Sequence, residues 1–325
     1  MSGRRILVTG SQGFLGQELR WVLAQLGVET VGLGRPGSGA ELEQDLADPA
    51  FDPRRLAEQV GPLDGIIYLA ATIARTSSVD ADARRNLTVI AESAVRTMEA
   101  WHDVHGPTHF VYCGTFKGYG PPKSLPIDPL RPPQRPDPFS YGSAKALAER
   151  LLEISAERCG ARFAVVRSTN IYGPGQHLHN AIPIFLRASW AGNNPTVFGR
   201  GTDLRDDVFV ADIAYCLAQA CLRRAEGPFH AGGERSRTIV EVAKLCCQAV
   251  AELGGPRTEV VVDASRPGKW WLDMSFDIER SRRLLGYVPT PMLEGIKREA
   301  AWVRAGARPE DATRFAGAPA PSVQT

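Results

Sequence analysis

Ile6-Leu7-Val8-Thr9-Gly10-Ser11-Gln12-Gly13-Phe14-Leu15-Gly16 is the stretch on which the fold turns. Its apolar start reads as a short strand, Arg5–Thr9. The residues after the turn read as a helix, Phe14–Leu26, with Phe14, Leu15, Leu19, Val22, Leu23 and Leu26 on one side. Three glycines lie between and just inside these elements. Gly10 lets the chain turn sharply at the strand end, Gly13 lets a pyrophosphate approach the backbone, and Gly16 lets the helix pack close to the sheet. The free N–H groups and the positive end of the helix dipole then face the phosphates. A strand–glycine turn–helix in this order predicts a dinucleotide site formed by Gly10, Gly13, Phe14, Leu15 and Gly16.

Working outward, apolar runs and helical patterns alternate. Strands are expected at Glu29–Leu33, Gly65–Ala70, His109–Cys113 and Ala164–Arg167. Helices are expected at Arg54–Val60, Ala83–Val104 and Tyr141–Glu157. This order predicts an α/β fold: a Rossmann-type, doubly wound parallel sheet with helices on both faces. From Gly173 the pattern breaks into Gly, Pro and Asn-rich pieces. Val208–Val210 reads as a return to the core, followed by helices at Ala211–Arg223 and Ile239–Leu253 and a strand at Val260–Val262. Residues 1–173 with about 208–234 are therefore assigned to the dinucleotide-binding domain. About 174–207 and 235–304 are assigned to a smaller, discontinuous C-terminal substrate domain. Residues 305–325 are rich in Ala, Pro and Gly and read as a flexible tail.

The bulk numbers narrow the class. The 325 residues suffice for roughly two domains. A net charge of +2 gives no reason to expect nucleic acid or an anionic membrane as partner. No apolar run is long enough to span a bilayer, and no signal-peptide pattern opens the chain, so a cytoplasmic protein is expected. Six cysteines without a CxxC pair read as reduced thiols. No metal site is expected, since His177 and His179 have no matching ligand cluster.

The second expected strand ends at Leu33. An NAD enzyme usually carries an acid there for the adenosine ribose, but here Gly34 and Arg35 come next. A guanidinium attracts a 2′-phosphate, so NADP(H) is favoured, with NAD(H) allowed if Arg35 is a solvated loop residue. Asp45 and Leu46 are expected near the adenine, and Leu69, Ala70 and Ala71 along the cofactor cleft.

Tyrosine and lysine four apart on a helix share a face. Tyr119 and Lys123 have this spacing but sit among prolines and glycines. Tyr141 and Lys145 open the strong helix of SYGSAKALAERLLEIS and act as a unit. With VTGSQGFLG, YLAA, FVYCGTFKGYG, RSTNIYGPGQ, DDVFVADIA and SRPGKWW, the YGSAK segment resembles the extended short-chain dehydrogenase/reductase family, in its nucleotide-sugar epimerase, dehydratase and reductase branch.

The resemblance implies roles. Tyr141 is the acid/base, Lys145 holds the nicotinamide ribose, Thr115 binds the sugar oxygen, and Asn86 helps to organise a proton relay. Asn170, Arg205 and Arg266 match positions that contact the phosphates or sugar of a nucleotide-diphosphate sugar. Phe116 and Lys117 stand where dehydratase relatives place Asp-Glu, which argues against water elimination. Lys117 either polarises a sugar oxygen or lies on the surface. Trp270 and Trp271 either wall the sugar pocket or pack a core.

Chemically, a phenol with a pKa of about 10 needs help to act as a base, and a nearby ammonium and an oxidised nicotinamide both favour phenolate. The implied activity is reduction of a 4-keto nucleotide sugar, or 4-epimerisation with tightly held NAD. A non-catalytic NAD(P)-binding regulator is the reading from another class. The resemblance also implies a homodimer, in which the helices at 83–104 and 141–157 pair with their copies in a four-helix bundle.

Overall fold

The computed structural model describes residues 4–72, 79–122, 124–133, 141–267, 273–306 and 312, with backbone alone at 79–82. The chain begins with β1 (Arg5–Thr9), α1 (Phe14–Gln25), β2 (Glu29–Gly34), β3 (Leu42–Glu43), α2 (Pro53–Val60) and β4 (Gly65–Tyr68). Next come α3 (Val79–Leu87), a π-turn (Thr88–Glu92), α4 (Ser93–His105), β5 (His109–Thr115), a 3₁₀ turn (Phe116–Gly118) and α5 (Tyr141–Cys159). After these stand β6 (Arg162–Ser168), β7 (Asn170–Tyr172), α6 (Ala181–Trp190), β8 (Thr196–Phe198), β9 (Leu204–Arg205), β10 (Asp207–Phe209) and α7 (Val210–Leu222). The last are β11 (Gly227–Ala231), β12 (Arg237–Thr238), α8 (Ile239–Glu252), β13 (Val261–Asp263), α9 (Glu279–Leu285) and α10 (Met292–Ala305).

Seven parallel strands form the main sheet in the order β11-β6-β5-β4-β1-β2-β3. β4 and β5 are buried along their whole length, which is why they read as continuous apolar runs. One face is covered by Leu19, Val22 and Leu23 of α1 and by Ile213 and Leu217 of α7. The other is covered by Leu56 of α2, Met98 and Trp101 of α4, and Ala148 and Leu152 of α5. Strand order reverses at β1, flanked by β2 and β4. In such sheets the reversal opens a crevice at the carboxyl ends of the strands, where ligands bind. The expected sheet is therefore present, and no helix among the described residues is long and apolar enough to cross a membrane.

The C-terminal third departs from the sequence reading. Val208–Val210 is buried in the core as expected, but its strand, Asp207–Phe209, pairs with β7 and not with the main sheet. The seventh strand is instead Gly227–Ala231, whose Gly-Pro start hid it. Because β11 pairs only with β6, Pro228 sits on an edge and its missing N–H breaks no inner ladder. Helix α6 was also unforeseen; its Pro183 is tolerated because it stands in the first turn. Helices α6, α8 and α10 gather a third apolar cluster, with Ile182, Leu186, Val242, Cys246, Ile296 and Ala300 at its centre. Apart from Ala312, the expected tail beyond Gly306 lies outside the described residues, as do Trp270 and Trp271.

The long helix expected at 83–104 is interrupted. Its π-turn at Thr88–Glu92 frees backbone carbonyls from the regular ladder. Two buried phenols satisfy them: Tyr68 OH donates to Val89 O at 2.6 Å, and Tyr112 OH to Ile90 O at 3.2 Å. Burial pushes both phenols well above their ordinary pKa, so they remain neutral donors.

Candidate active site

Gly10 occupies the left-handed region at φ +68, and its N–H donates to Leu33 O at 2.8 Å. A Cβ there would lie 3.2 Å from Ala70 N, and a Cβ on Gly16 would lie 2.2 Å from Gly10 O. Thr9 Oγ1 accepts from Leu69 N at 3.1 Å and Ala70 N at 3.0 Å, which ties the end of β4 to the end of β1. Leu69 and Ala70 thus border the glycine turn, and Ala71 is exposed beyond them. At the start of α1, Gly13 offers no side-chain cap and the first turn holds no acid. Its N–H groups are left for an anion. Phe14 and Leu15 are half-buried and pack toward the third cluster. This cradle fits a dinucleotide pyrophosphate.

At the end of β2, Arg35 is exposed. Asp45 accepts two hydrogen bonds from Arg85 Nη2, both at 2.9 Å. The Ala47 N–H, then Arg85 and Arg35, hold its carboxyl below the usual range. Leu46 is buried, and its carbonyl accepts from Ser93 Oγ at 2.6 Å. The sequence reading found no acid beside this strand end, yet two arrive on and beside the short edge strand β3. Glu41 accepts from Gly32 N at 3.1 Å and pairs with Arg20, while Glu43 accepts from Gly37 and Gly39. A two-residue strand inside AELEQD is too short to show a period.

The catalytic candidates converge at the carboxyl end of β5. Thr115 is its last residue, buried, with Oγ1 accepting from Lys117 N at 3.4 Å. The 3₁₀ turn after it seats against the first turn of α5. Gly142 permits this approach, since a Cβ there would lie 2.4 Å from Lys117 O. Tyr141 and Lys145 are therefore held beside Thr115–Lys117. Lys117 is exposed, with Nζ 5.6 Å from the Tyr141 ring centroid. Phe116 turns into the core.

Lys145 is buried and donates to Cys113 O at 2.9 Å; its Nζ lies 4.5 Å from the Tyr112 ring centroid and 6.0 Å from that of Tyr141. Burial pushes the phenol up, so Tyr141 is a neutral hydrogen-bond donor at physiological pH. Burial also lowers the Lys145 pKa, and Glu149, one turn further along α5, opposes that shift. Glu149 itself is paired with Arg167 at 2.8 Å, deep in the core. The pair's members stand eighteen positions apart on α5 and β6, so no helical spacing in the sequence links them.

Asn86 is buried near the end of α3 and accepts from Thr72 Oγ1, which places it beside the segment that leaves β4. The rejected partner Tyr119 is not helical; it is buried, with its OH 2.7 Å from His230 Nε2 and 2.6 Å from Arg167 Nη1. Lys123 lies outside the described residues.

The proposed phosphate contacts differ in their commitments. Arg205 forms a two-pronged pair with Asp207, Nη2–Oδ1 at 2.7 Å and Nε–Oδ2 at 3.2 Å, and is largely buried. Arg266 is exposed, 3.6 Å from Asp263, with its guanidinium 5.1 Å from the Phe198 ring centroid. Asn170 donates its backbone N–H to Asp206 O at 3.3 Å and is half-buried. His177 and His179 are exposed, and no group of three or more metal-ligating side chains forms among the described residues.

Known proteins share this sequence pattern and fold. A UDP-glucose 4-epimerase of Mycolicibacterium smegmatis is 30% identical over 92% of this chain and 98% of its own. A dTDP-4-dehydro-6-deoxy-D-allose reductase of a Streptomyces species is 27% identical over 93% and 97%. The solved structure of MoeE5 in complex with UDP-glucose and NAD superposes with a TM-score of 0.74, at 25% identity, over 93% of this chain and 99% of that one. The family model for NAD dependent epimerases/dehydratases matches residues 6–231. With that match spanning most of the chain, and the glycine cradle and Tyr141–Lys145 pair lying within it, the chain belongs to the NAD dependent epimerase/dehydratase family.

Proposed function

We propose that this enzyme reduces a 4-keto nucleotide-diphosphate sugar to the alcohol. The observation that carries this reading is the convergence of Tyr141, Lys145 and the Thr115–Lys117 turn at the sheet's carboxyl edge, with the Tyr141 phenol kept neutral by burial. A bound nicotinamide supplies the hydride. Tyr141 supplies the proton to the ketone oxygen, and Thr115 Oγ holds that oxygen in place. Lys145, whose Nζ donates to Cys113 O and lies 6.0 Å from the Tyr141 ring centroid, has to turn toward the phenolate left behind to offset its charge. Asn86 is proposed to help return the proton, and the α6, α8 and α10 unit, with Asn170, Arg205 and Arg266, to hold the nucleotide sugar. Engaging Arg205 with phosphate requires it to share its charge with Asp207. Phe116 and Lys117 supply no acid to expel a hydroxyl, which disfavours dehydration.

4-Epimerisation is the second reading. It uses the same residues, and the epimerase relative at 30% identity favours it. For the cofactor, Arg35 taken alone points to NADP(H). With Asp45 close enough to Arg35 to feel its charge, and NAD in the MoeE5 complex, NAD(H) becomes the better supported choice.

Purified enzyme mixed with NADH, or NADPH, and a 4-keto nucleotide sugar should consume the cofactor in proportion to product. Product without net consumption selects the epimerase. Tyr141→Phe should lower turnover by about 10³-fold with cofactor affinity intact. Unchanged turnover would leave only a binding role.

A homodimer through α4 and α5 is also proposed. Leu147, Leu151 and Ile154 form an exposed apolar stripe at i, i+4 and i+7 along α5. Sedimentation should show a dimer that Leu151→Glu dissociates; an unaltered dimer would place the interface elsewhere.

A further inference from the structure

The loop leaving β2 closes on a carboxylate. Gly37 N donates to Glu43 Oε2 at 2.8 Å and Gly39 N to Glu43 Oε1 at 2.7 Å. Both glycines have φ +74, and their N–H groups converge on one side of the loop. Converging backbone N–H groups of this kind form a concavity that binds anions. One more anion-binding group, the exposed Arg35, stands on the same loop.

The loop also lies against the glycine turn. Gln12 Nε2 donates to Gly39 O at 3.4 Å, and Gly10 N donates to Leu33 O at 2.8 Å. The end of β2 beside the glycine turn is where this architecture receives the adenosine ribose, and where an acid or an arginine separates NAD from NADP.

We propose that Glu43 sets the choice between NAD(H) and NADP(H), because its carboxylate fills from within the chain the backbone concavity that a 2′-phosphate needs. The proposal rests on the dinucleotide reading and adds to it a residue that discriminates. A 2′-phosphate has to displace the carboxylate from Gly37 and Gly39 or meet its charge. A 2′-hydroxyl meets an acceptor oxygen instead. The two N–H bonds hold the carboxyl below its usual range, so it is charged throughout the neutral region. Asp45 adds a second negative charge near Arg35. Arg35 attracts a phosphate, but it does so beside two carboxylates.

The test is calorimetric titration of the full chain with ADP, 2′,5′-ADP, NADH and NADPH. It compares the unsubstituted protein with Glu43→Gln and Arg35→Ala. Glu43→Gln keeps the shape of the side chain and one acceptor oxygen while removing the charge. The affinity ratio of 2′,5′-ADP to ADP should rise about tenfold in Glu43→Gln, the scale of one unit charge a few ångströms away at a partly solvated site. It should fall in Arg35→Ala. The Glu43→Gln shift should shrink at high ionic strength. An unchanged or reversed ratio in Glu43→Gln, including an equal loss of both ligands, overturns the proposal. Failure of the unsubstituted protein to bind either NADH or NADPH would remove the dinucleotide reading itself, and it appears in a different sample.

Discussion

The crest of the sheet at Gly10–Gly16 and the unit built from α6, α8 and α10 hold their shapes by different physics. At the crest the bonds are between backbone groups or from neutral side chains. Gly10 reaches Leu33, Gly13 reaches Gly10 at 3.0 Å, and Thr9 reaches Leu69 and Ala70. The C-terminal region relies on buried acids. Asp206 accepts from Gly233 N and Phe276 N, both at 2.8 Å, and Asp212 accepts from Thr290 N and Oγ1, both at 2.7 Å. Glu299 is fully buried and accepts from Gln176, with its other oxygen unpartnered. Glu18 of α1 lies where the regions meet, and feels both Arg298 of α10 and Asp212 of α7. A backbone-built site is indifferent to pH and intolerant of added volume. A region tied by buried carboxyls responds to pH.

The largest effect should come from volume at the crest. Gly16→Val drives methyl groups into Gly10 O, and NADH fluorescence titration should show at least a hundredfold loss of affinity, since overpacking here displaces the turn itself. Binding within a few-fold of the unsubstituted protein would mean the crest yields more easily than its geometry implies.

Next comes pH. Burial raises the Glu299 carboxyl to about 8, Glu18 to about 7, and Asp206 and Asp212 to about 6. Between the unfolded value of each group and these folded values, the native chain keeps protons that the unfolded chain has released. Stability therefore falls as pH rises from 4.5 to about 8 for Glu299, from 4.5 to about 7 for Glu18 and from 3.8 to about 6 for Asp206 and Asp212, by up to about 1.4 kcal/mol per pH unit for each group within its window. Denaturant unfolding of Glu299→Gln should show a shallower decline than the unsubstituted protein and higher stability at pH 8. Equal slopes would show that the unit does not depend on this carboxyl.

The smallest effect is expected at the π-turn. Tyr68→Phe removes one neutral hydrogen bond and should cost about 1 kcal/mol, read as a drop in Tm that does not vary between pH 5 and 8. A pH-dependent loss would tie this phenol to the acid network instead.

The same contrast explains what the sequence made legible. Glycines at 10, 13 and 16 declare themselves because the backbone demands them locally, and the strands at 65–68 and 109–115 do so because both faces are buried. Tyr141 and Lys145 were legible from helical spacing. The electrostatic surroundings were not. Whether Lys145 faces the Tyr141 oxygen or the Cys113 carbonyl depends on contacts between separate strands and helices, and no spacing encodes that. The companions of Arg35 were hidden for a related reason. Glu43 and Asp45 lie eight and ten positions further on, and only the short pairing of Leu33 with Leu42 brings that segment back beside β2. Likewise, nothing in GPFHA announces the edge strand, since its pairing with β6 joins segments more than sixty positions apart.

The extra residue at Thr88–Glu92 also sets a rotation. An α-helix turns about 100° per residue, so one inserted position offsets everything beyond it by roughly that angle. Upstream of the offset, Asn86 is aimed at Thr72; downstream, Met98 and Trp101 are aimed into the sheet-covering core. A single rod thus faces two ways, and deleting one position between 88 and 92 would straighten it and swing Asn86 off its partner while leaving Trp101 in place.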